Sequence, residues 1–185
     1  MLGLSAWAED AGPAPHDPAI HAGAGLNTAL TAGITAADFL KLGTEPKTVK
    51  VTLIAAFTED NYGMNFDGYS HGKATFTIPT GWKVEVTFIN PSPVPHSAIV
   101  VERDDVRKIQ LGDPAFAGAS TPKPLIGMSS SKAIFTFTAS EAGDYAFACG
   151  FPSHAASGHW VALKVVADAK GPTLKLGDAS AQDAK

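Results

Sequence analysis

The chain has a single cysteine, in the stretch CGFPSHAASGHW at residues 149–160, five positions before His154 and ten before His159. A thiolate is a soft metal ligand and an imidazole a versatile one, so the trio could clip a metal ion. The same pair of residue types could instead form a nucleophile and its base, or could simply be occupants of a tight turn. Gly150, Ser153, Ala155, Ala156, Ser157 and Gly158 are small enough for the loop to curl around one point. One cysteine excludes an internal disulfide framework, four-thiolate zinc sites and iron–sulfur clusters. It also excludes a dinuclear copper centre with two bridging thiolates.

A fourth group stands in FINPSPVPHSAIVV. A strand pattern ends at Asn90, Pro91, Pro93 and Pro95 stiffen the next few residues, and His96 opens another strand pattern. Alone, His96 reads as a surface-loop histidine. Beside a C-x4-H loop it reads as a ligand held in place before the metal arrives. One thiolate with two imidazoles is the donor set that suits copper in a trigonal arrangement, although zinc also accepts it.

The elements that must position these groups are strands. Val49, Val51, Leu53, Ala55 and Phe57 alternate on one face; Ala74, Phe76 and Ile78 do so before a Pro-Thr-Gly turn; Trp82, Val84, Val86 and Phe88 do so after it. SAIVVE, KAIFTFTA, GDYAFAC and HWVALKVV continue the period of two. In GDYAFAC, Tyr145, Phe147 and Cys149 share a face, which puts the thiol on the core side at a strand end. The expectation is an all-β fold, a Greek-key sandwich of two sheets. A helix is expected over 27–42, from Leu26, Leu30, Ile34, Ala37 and Leu40 with Gly43 as its stop. The predicted organisation is a loose arm over 1–25, a single domain over 26–168 that includes this helical extension, and a polar, frayed tail over 169–185. Residues 103–131 read as a long connection without a core strand.

GWKVEVTFINPSPVPHSAIVVE and YAFACGFPSHAASGHW together resemble the cupredoxins, and within them the sulfocyanins. The resemblance covers Thr48 to Val166. Sulfocyanins carry a histidine after a strand and a C-G-x-x-G-H-A-x-x-G-M-W pattern. Carried over by position, the resemblance implies a cupredoxin-like β-sandwich and one copper ion with His96, Cys149 and His154 as equatorial ligands. Three positions depart from the pattern. His159 stands where the family has an axial methionine, Ser153 replaces a glycine, and Ser97 follows His96 where many cupredoxins have asparagine. An imidazole prefers Cu(II) more than a thioether does, so ligation by His159 implies a lowered potential and a colour shifted from intense blue. Ser97 is expected to bond the backbone near Cys149, as the asparagine would. Met64 and Met128, rival axial donors in principle, read as packing residues.

The function this implies is one-electron transfer by Cu(I)/Cu(II), not enzymatic catalysis. Respiratory donors and a terminal oxidase are the partners implied by the resemblance. No charged residue lies between Cys149 and Trp160, which fits a weak, transient contact. The alternatives are a copper site with an exchangeable position for a small molecule such as nitric oxide, and copper delivery or storage. Nucleophilic catalysis by Cys149 lacks a recognisable oxyanion-stabilising or orienting group. The net charge of −4 without a basic cluster argues against nucleic-acid binding. No apolar run approaches the ~20 residues of a spanning helix. Ala6-Trp7-Ala8 before Glu9-Asp10 resembles an export-signal cleavage site. The expectation is an exported monomer, periplasmic or on the outer face of the cytoplasmic membrane; a missing N-terminal segment is the one route by which it could associate with the membrane. His16, His21 and His71 read as solvated.

Overall fold

The computed structural model describes residues 25–185, so the arm with His16 and His21 and the signal-like Ala6-Trp7-Ala8 lie outside the described residues. Among the described residues, ten strands form two sheets. β1 (Leu40–Leu42), β2 (Thr48–Ile54), β4 (Lys83–Asn90) and β6 (Ser131–Thr138) make a four-stranded sheet in the order β1-β2-β4-β6. The other strands are β3 (Ala74–Pro79), β5 (Ile99–Glu102), β7 (Gly143–Ala148), β8 (Trp160–Val166), β9 (Thr173–Leu176) and β10 (Gln182–Asp183). They make a six-stranded sheet in the order β10-β9-β3-β8-β7-β5. From β2 to β7 the chain changes sheet at every step, which produces the Greek-key sandwich expected of the alternating pattern.

That alternation is what packs the two sheets. Val49, Val51 and Leu53 of β2, Val84, Val86 and Phe88 of β4, and Phe135 and Phe137 of β6 face Ala74, Phe76 and Ile78 of β3, Phe147 of β7, and Val161, Leu163 and Val165 of β8 in one buried cluster. Burying a large apolar side chain of this kind contributes about 2 kcal/mol. The six-stranded sheet also buries part of its outer face, at β5, β7 and β8. Ile99, Val101, Ala146, Ala148 and Trp160 pack there with Val106 and Leu111 of the long connection and Ala155 of the ligand loop. Residues 103–130 contain no strand, as the turn-forming composition implies, but they serve as the cover of this second core.

Two expectations are corrected. The apolar stripe over 27–42 is not a helix. It forms 3-10 turns at Thr28–Leu30 and Ala36–Asp38 and then β1, which pairs with β2 through Leu40 opposite Val51. Gly33 at φ 77° breaks the helical path, and a capping box between Thr35 and Asp38 starts the second turn. Leu30 and Ile34 still pack on the core, so the apolar positions are inward as expected while the element that carries them differs. The segment after Asp168 is not a frayed tail either. β9 pairs with β3, Leu174 opposite Phe76, and Leu174 is buried. A strand with an open edge and an alternating Leu-x-Leu segment supply each other's missing hydrogen bonds.

Candidate metal centre

Three strands of the six-stranded sheet end together, and their ends carry three of the four candidate residues. β5 pairs with β7 through Ile99 opposite Ala148, and β7 with β8 through Ala148 opposite Trp160. His96 lies just before the first of these strands, Cys149 just after the second, and His159 just before the third. The Cys149 amide donates to the His159 carbonyl at 2.9 Å, one rung beyond the ladder. His154 returns from the connecting loop. The ligand-type atoms of His96, Cys149, His154 and His159 all lie within 4.8 Å of one another, and all four residues are buried.

Cys149 Sγ is 3.5 Å from His154 Nδ1 and 3.9 Å from His96 Nδ1. Such separations suit donors that each sit about 2.0–2.3 Å from one shared ion. The His96 and His154 ring centroids are 5.1 Å apart, those of His96 and His159 4.8 Å, and those of His154 and His159 5.9 Å. The cluster therefore fits a single metal ion with a soft sulfur and three imidazole donors. Burial pushes the Cys149 thiol up to about 11, against the opposing pull of the Ser97 and Phe151 backbone N–H groups and the Ser97 side chain. A metal must displace that proton, so loading strengthens as pH rises.

The His96 segment is organised by a residue to which the sequence pattern assigns no role. Asn90, fully buried at the end of β4, donates through Nδ2 to the carbonyls of Val94 (2.8 Å) and Met128 (2.6 Å). Its Oδ1 accepts from the Ser92 amide at 2.9 Å, and Ser92 Oγ accepts from the Val94 amide at 3.0 Å. Met128 in turn exchanges both backbone hydrogen bonds with His96. Asn-Pro-Ser at a strand end is the available signal, since Asn side chains build such turns by bonding backbone two residues on. Met128's side chain packs against the main core, as expected of a packing residue.

Ser97 makes the bond expected of it. Its Oγ accepts the Gly150 amide at 2.9 Å and donates to the Pro124 carbonyl at 2.7 Å, while the Ser97 amide lies 3.4 Å from Cys149 Sγ. One hydroxyl thus joins both ligand loops to the long connection.

The 149–160 loop is bonded both within itself and to its surroundings. Asn61 Nδ2 donates to the Ser157 carbonyl at 2.9 Å, His71 N–H to the Gly158 carbonyl at 2.8 Å, and Ser153 N–H to the Ile109 carbonyl at 2.6 Å. His71 does lie in an exposed turn, but its ring covers Gly158, where a Cβ would fall inside the imidazole. Gly158 also has φ 95°, so no other residue suits the position. His154 is 8% exposed whereas His96 and His159 are 0%, which makes it the surface-facing member of the cluster. Phe151 tilts against it at 4.7 Å.

The Sulfocyanin (SoxE) domain model matches residues 35–174. A sulfocyanin from Sulfolobus acidocaldarius is 30% identical over 132 residues, spanning 63% of this chain and 63% of that protein's own length. Among solved structures, reduced rusticyanin aligns with TM-score 0.48 and 21% identity over 76% of this chain and 96% of that one. Dithionite-reduced auracyanin from Roseiflexus castenholzii aligns with TM-score 0.43 and 24% identity over 63% of this chain and 96% of that one.

Proposed function

The chain belongs to the sulfocyanin family of cupredoxin-type copper proteins, and from that premise we propose that it carries single electrons, with His96, Cys149, His154 and His159 as its four copper ligands. Copper supplies the Cu(I)/Cu(II) couple when bound. The observation that carries the reading is the convergence of one buried thiol and three imidazoles within 4.8 Å, on loops tied together by Ser97.

The residues do three things for such a carrier. Asn90, Ser92 and the prolines hold His96, so little rearrangement accompanies a change of charge at the site. Burial of Cys149, His96 and His159 excludes water from the donors. His154, at the surface and flanked by Phe151, offers the shortest path outward, and the uncharged loop around it suits brief contact with a redox partner. Respiratory donors and a terminal oxidase are the proposed partners, and the proposed location is outside the cytoplasmic membrane. Among the described residues no helix is long and apolar enough to cross a membrane.

The test is the visible and EPR spectrum of the copper-loaded protein beside Cys149→Ser and His159→Met. Cys149→Ser is expected to abolish the sulfur-to-copper absorption and the redox cycling. His159→Met is expected to raise the potential and move the spectrum toward intense blue. An intense blue, axial spectrum in the parent that His159→Met leaves unchanged would remove His159 from the ligand set. Unaltered colour and cycling in Cys149→Ser would overturn the whole reading.

A further inference from the structure

His159 is enclosed on one side by a residue that belongs to no ligand loop. The Phe66 ring lies 4.3 Å from the His159 ring at an interplanar angle of 49°, and Phe66 is fully buried. Behind it, Phe88 of β4 meets Phe66 edge-on at 6.4 Å. His96 and His154 flank the same imidazole, and the His159 backbone is tied to Cys149 and His154.

The segment carrying Phe66 is an inverted turn. Phe66 and Tyr69 exchange both backbone hydrogen bonds, at 2.9 and 2.8 Å, around Asp67 and Gly68, whose φ values are 56° and 85°. Asp-Gly in this conformation forms the two-residue turn of a hairpin, whose tip normally faces water. Here the tip points inward. Asp67 is 4% exposed, its Oδ1 accepts the Ile54 amide at 2.8 Å, and its own amide donates to the Ile54 carbonyl at 2.9 Å. Asn65 Oδ1 accepts the Gly68 amide at 3.2 Å. The turn is thereby stitched to the end of β2, with Phe66 driven against His159.

We propose that Phe66 is the positioning residue that keeps the copper site closed, bracing His159 so that it cannot swing away and admit a small anion or nitric oxide. This rests on His159 being the fourth ligand. It also explains how one donor set can serve electron transfer alone: an imidazole that could leave would open a coordination position, and the ring of Phe66 takes the space into which it would move. A smaller side chain at position 66 leaves a void beside His159, and interiors are packed too densely for a neighbouring group to fill it fully.

The experiment uses the copper-loaded full chain and azide as the probe, followed by visible absorption and EPR, with nitric oxide added to the reduced protein in parallel. The parent is expected to show no spectral change. Phe66→Ala is expected to gain a saturable azide spectrum, with binding about tenfold tighter or more, as when a rare open conformer becomes well populated. Phe66→Leu should fall between the two, and it answers the same question if Phe66→Ala does not fold. His159→Ala serves as the reference for an open site. Unchanged spectra in His159→Ala would sink the four-ligand reading itself. If His159→Ala opens to azide while neither Phe66 variant does, or if the parent binds azide as readily as they do, only the bracing role is overturned.

Discussion

The two loops that meet at the candidate copper site are stiffened in different ways. In residues 90–97 three prolines restrict the backbone, and Asn90 and Ser92 bond within the segment. Outside ties join Pro91 to Asn27, Asn90 and His96 to Met128, Ser92 to Ser130, and Ser97 to Pro124 and Gly150. Residues 149–160 turn through short-range bonds such as Ser157 N–H to the Ser153 carbonyl and Gly158 N–H to the Ala155 carbonyl. Their position is set from outside, by Asn61, His71, Phe66, Ile109 and Ser97. The first loop presents one donor on a rigid mount. The second presents three on a pliable mount whose stiffness is partly borrowed. Substitutions at Asn61 or His71 should therefore disturb the second loop, and those at Asn90 or Ser92 the first.

The largest expected effect breaks the first loop. Asn90→Ala removes two donors and one acceptor from a buried turn, at a cost of about 3 kcal/mol. The Val94 carbonyl and the Ser92 amide lose this partner, while the Met128 carbonyl keeps the His96 amide. Chemical denaturation of the metal-free protein measures it. In the copper-loaded protein the same variant should broaden the EPR spectrum through His96. A loss below about 1 kcal/mol would mean that the prolines hold the loop unaided.

Next comes the borrowed support. Asn61 sits at φ 51° and bonds the carbonyls of Met64 and Ser157. Asn61→Ala should cost about 2 kcal/mol, roughly half from the lost bonds and half from placing alanine in the left-handed region. Asn61→Gly keeps the backbone freedom and so isolates the bonds. If both variants leave the copper spectrum sharp, the 149–160 loop is stiffer by itself than its short-range bonds imply.

The same division decides what could be read in the sequence. The strands were legible because each has one buried face, as in Val49-Val51-Leu53 or Tyr145-Phe147-Cys149. The grouping of Cys149, His154 and His159 was legible because strand ends and a small-residue loop bring them together locally, and His96 joined them through its donor chemistry and the resemblance. The Ser97 bond followed from the resemblance, in which an asparagine at its place ties the two loops. Phe66, Asn61 and His71 were not, because their roles arise only when the 58–72 segment folds against a loop far along the chain. The 26–42 and 169–185 segments failed for a related reason. Spacing identified Leu30 and Ile34, but the β1 and β9 conformations are chosen by the open edges of β2 and β3, which no local pattern reveals.

Asp67 tests the outside support by pH. Its burial raises the carboxyl well above its ordinary range, against the lowering effect of the Ile54 amide bond. A carboxyl whose folded value exceeds its unfolded one stabilises the fold fully below the unfolded value, near 3.8, and loses that contribution as pH rises through the folded one. The parent should therefore lose stability as pH climbs above about 4. Asp67→Asn should flatten that part of the curve while matching the parent in acid. Thermal melts across pH decide it, and parallel curves for the two proteins would show that Asp67 does not titrate within the fold.

The smallest effect improves the pliable loop. Ser153 is exposed at φ 70°, the left-handed region, where the family pattern has glycine. A non-glycine residue there costs about 1–2 kcal/mol, while glycine's greater freedom in the unfolded chain returns roughly 0.5–1 kcal/mol of that gain. Ser153→Gly should thus stabilise by roughly 0.5 kcal/mol, about 1–2 °C in Tm for a chain of this length. The backbone bond to Ile109 does not involve the serine side chain and should survive. A pliable mount held by its neighbours predicts that the gain comes without any shift of potential or spectrum, since Gly158, His71 and Asn61 still fix where the loop lies. A shift of either would mean that Ser153 itself sets the position of His154.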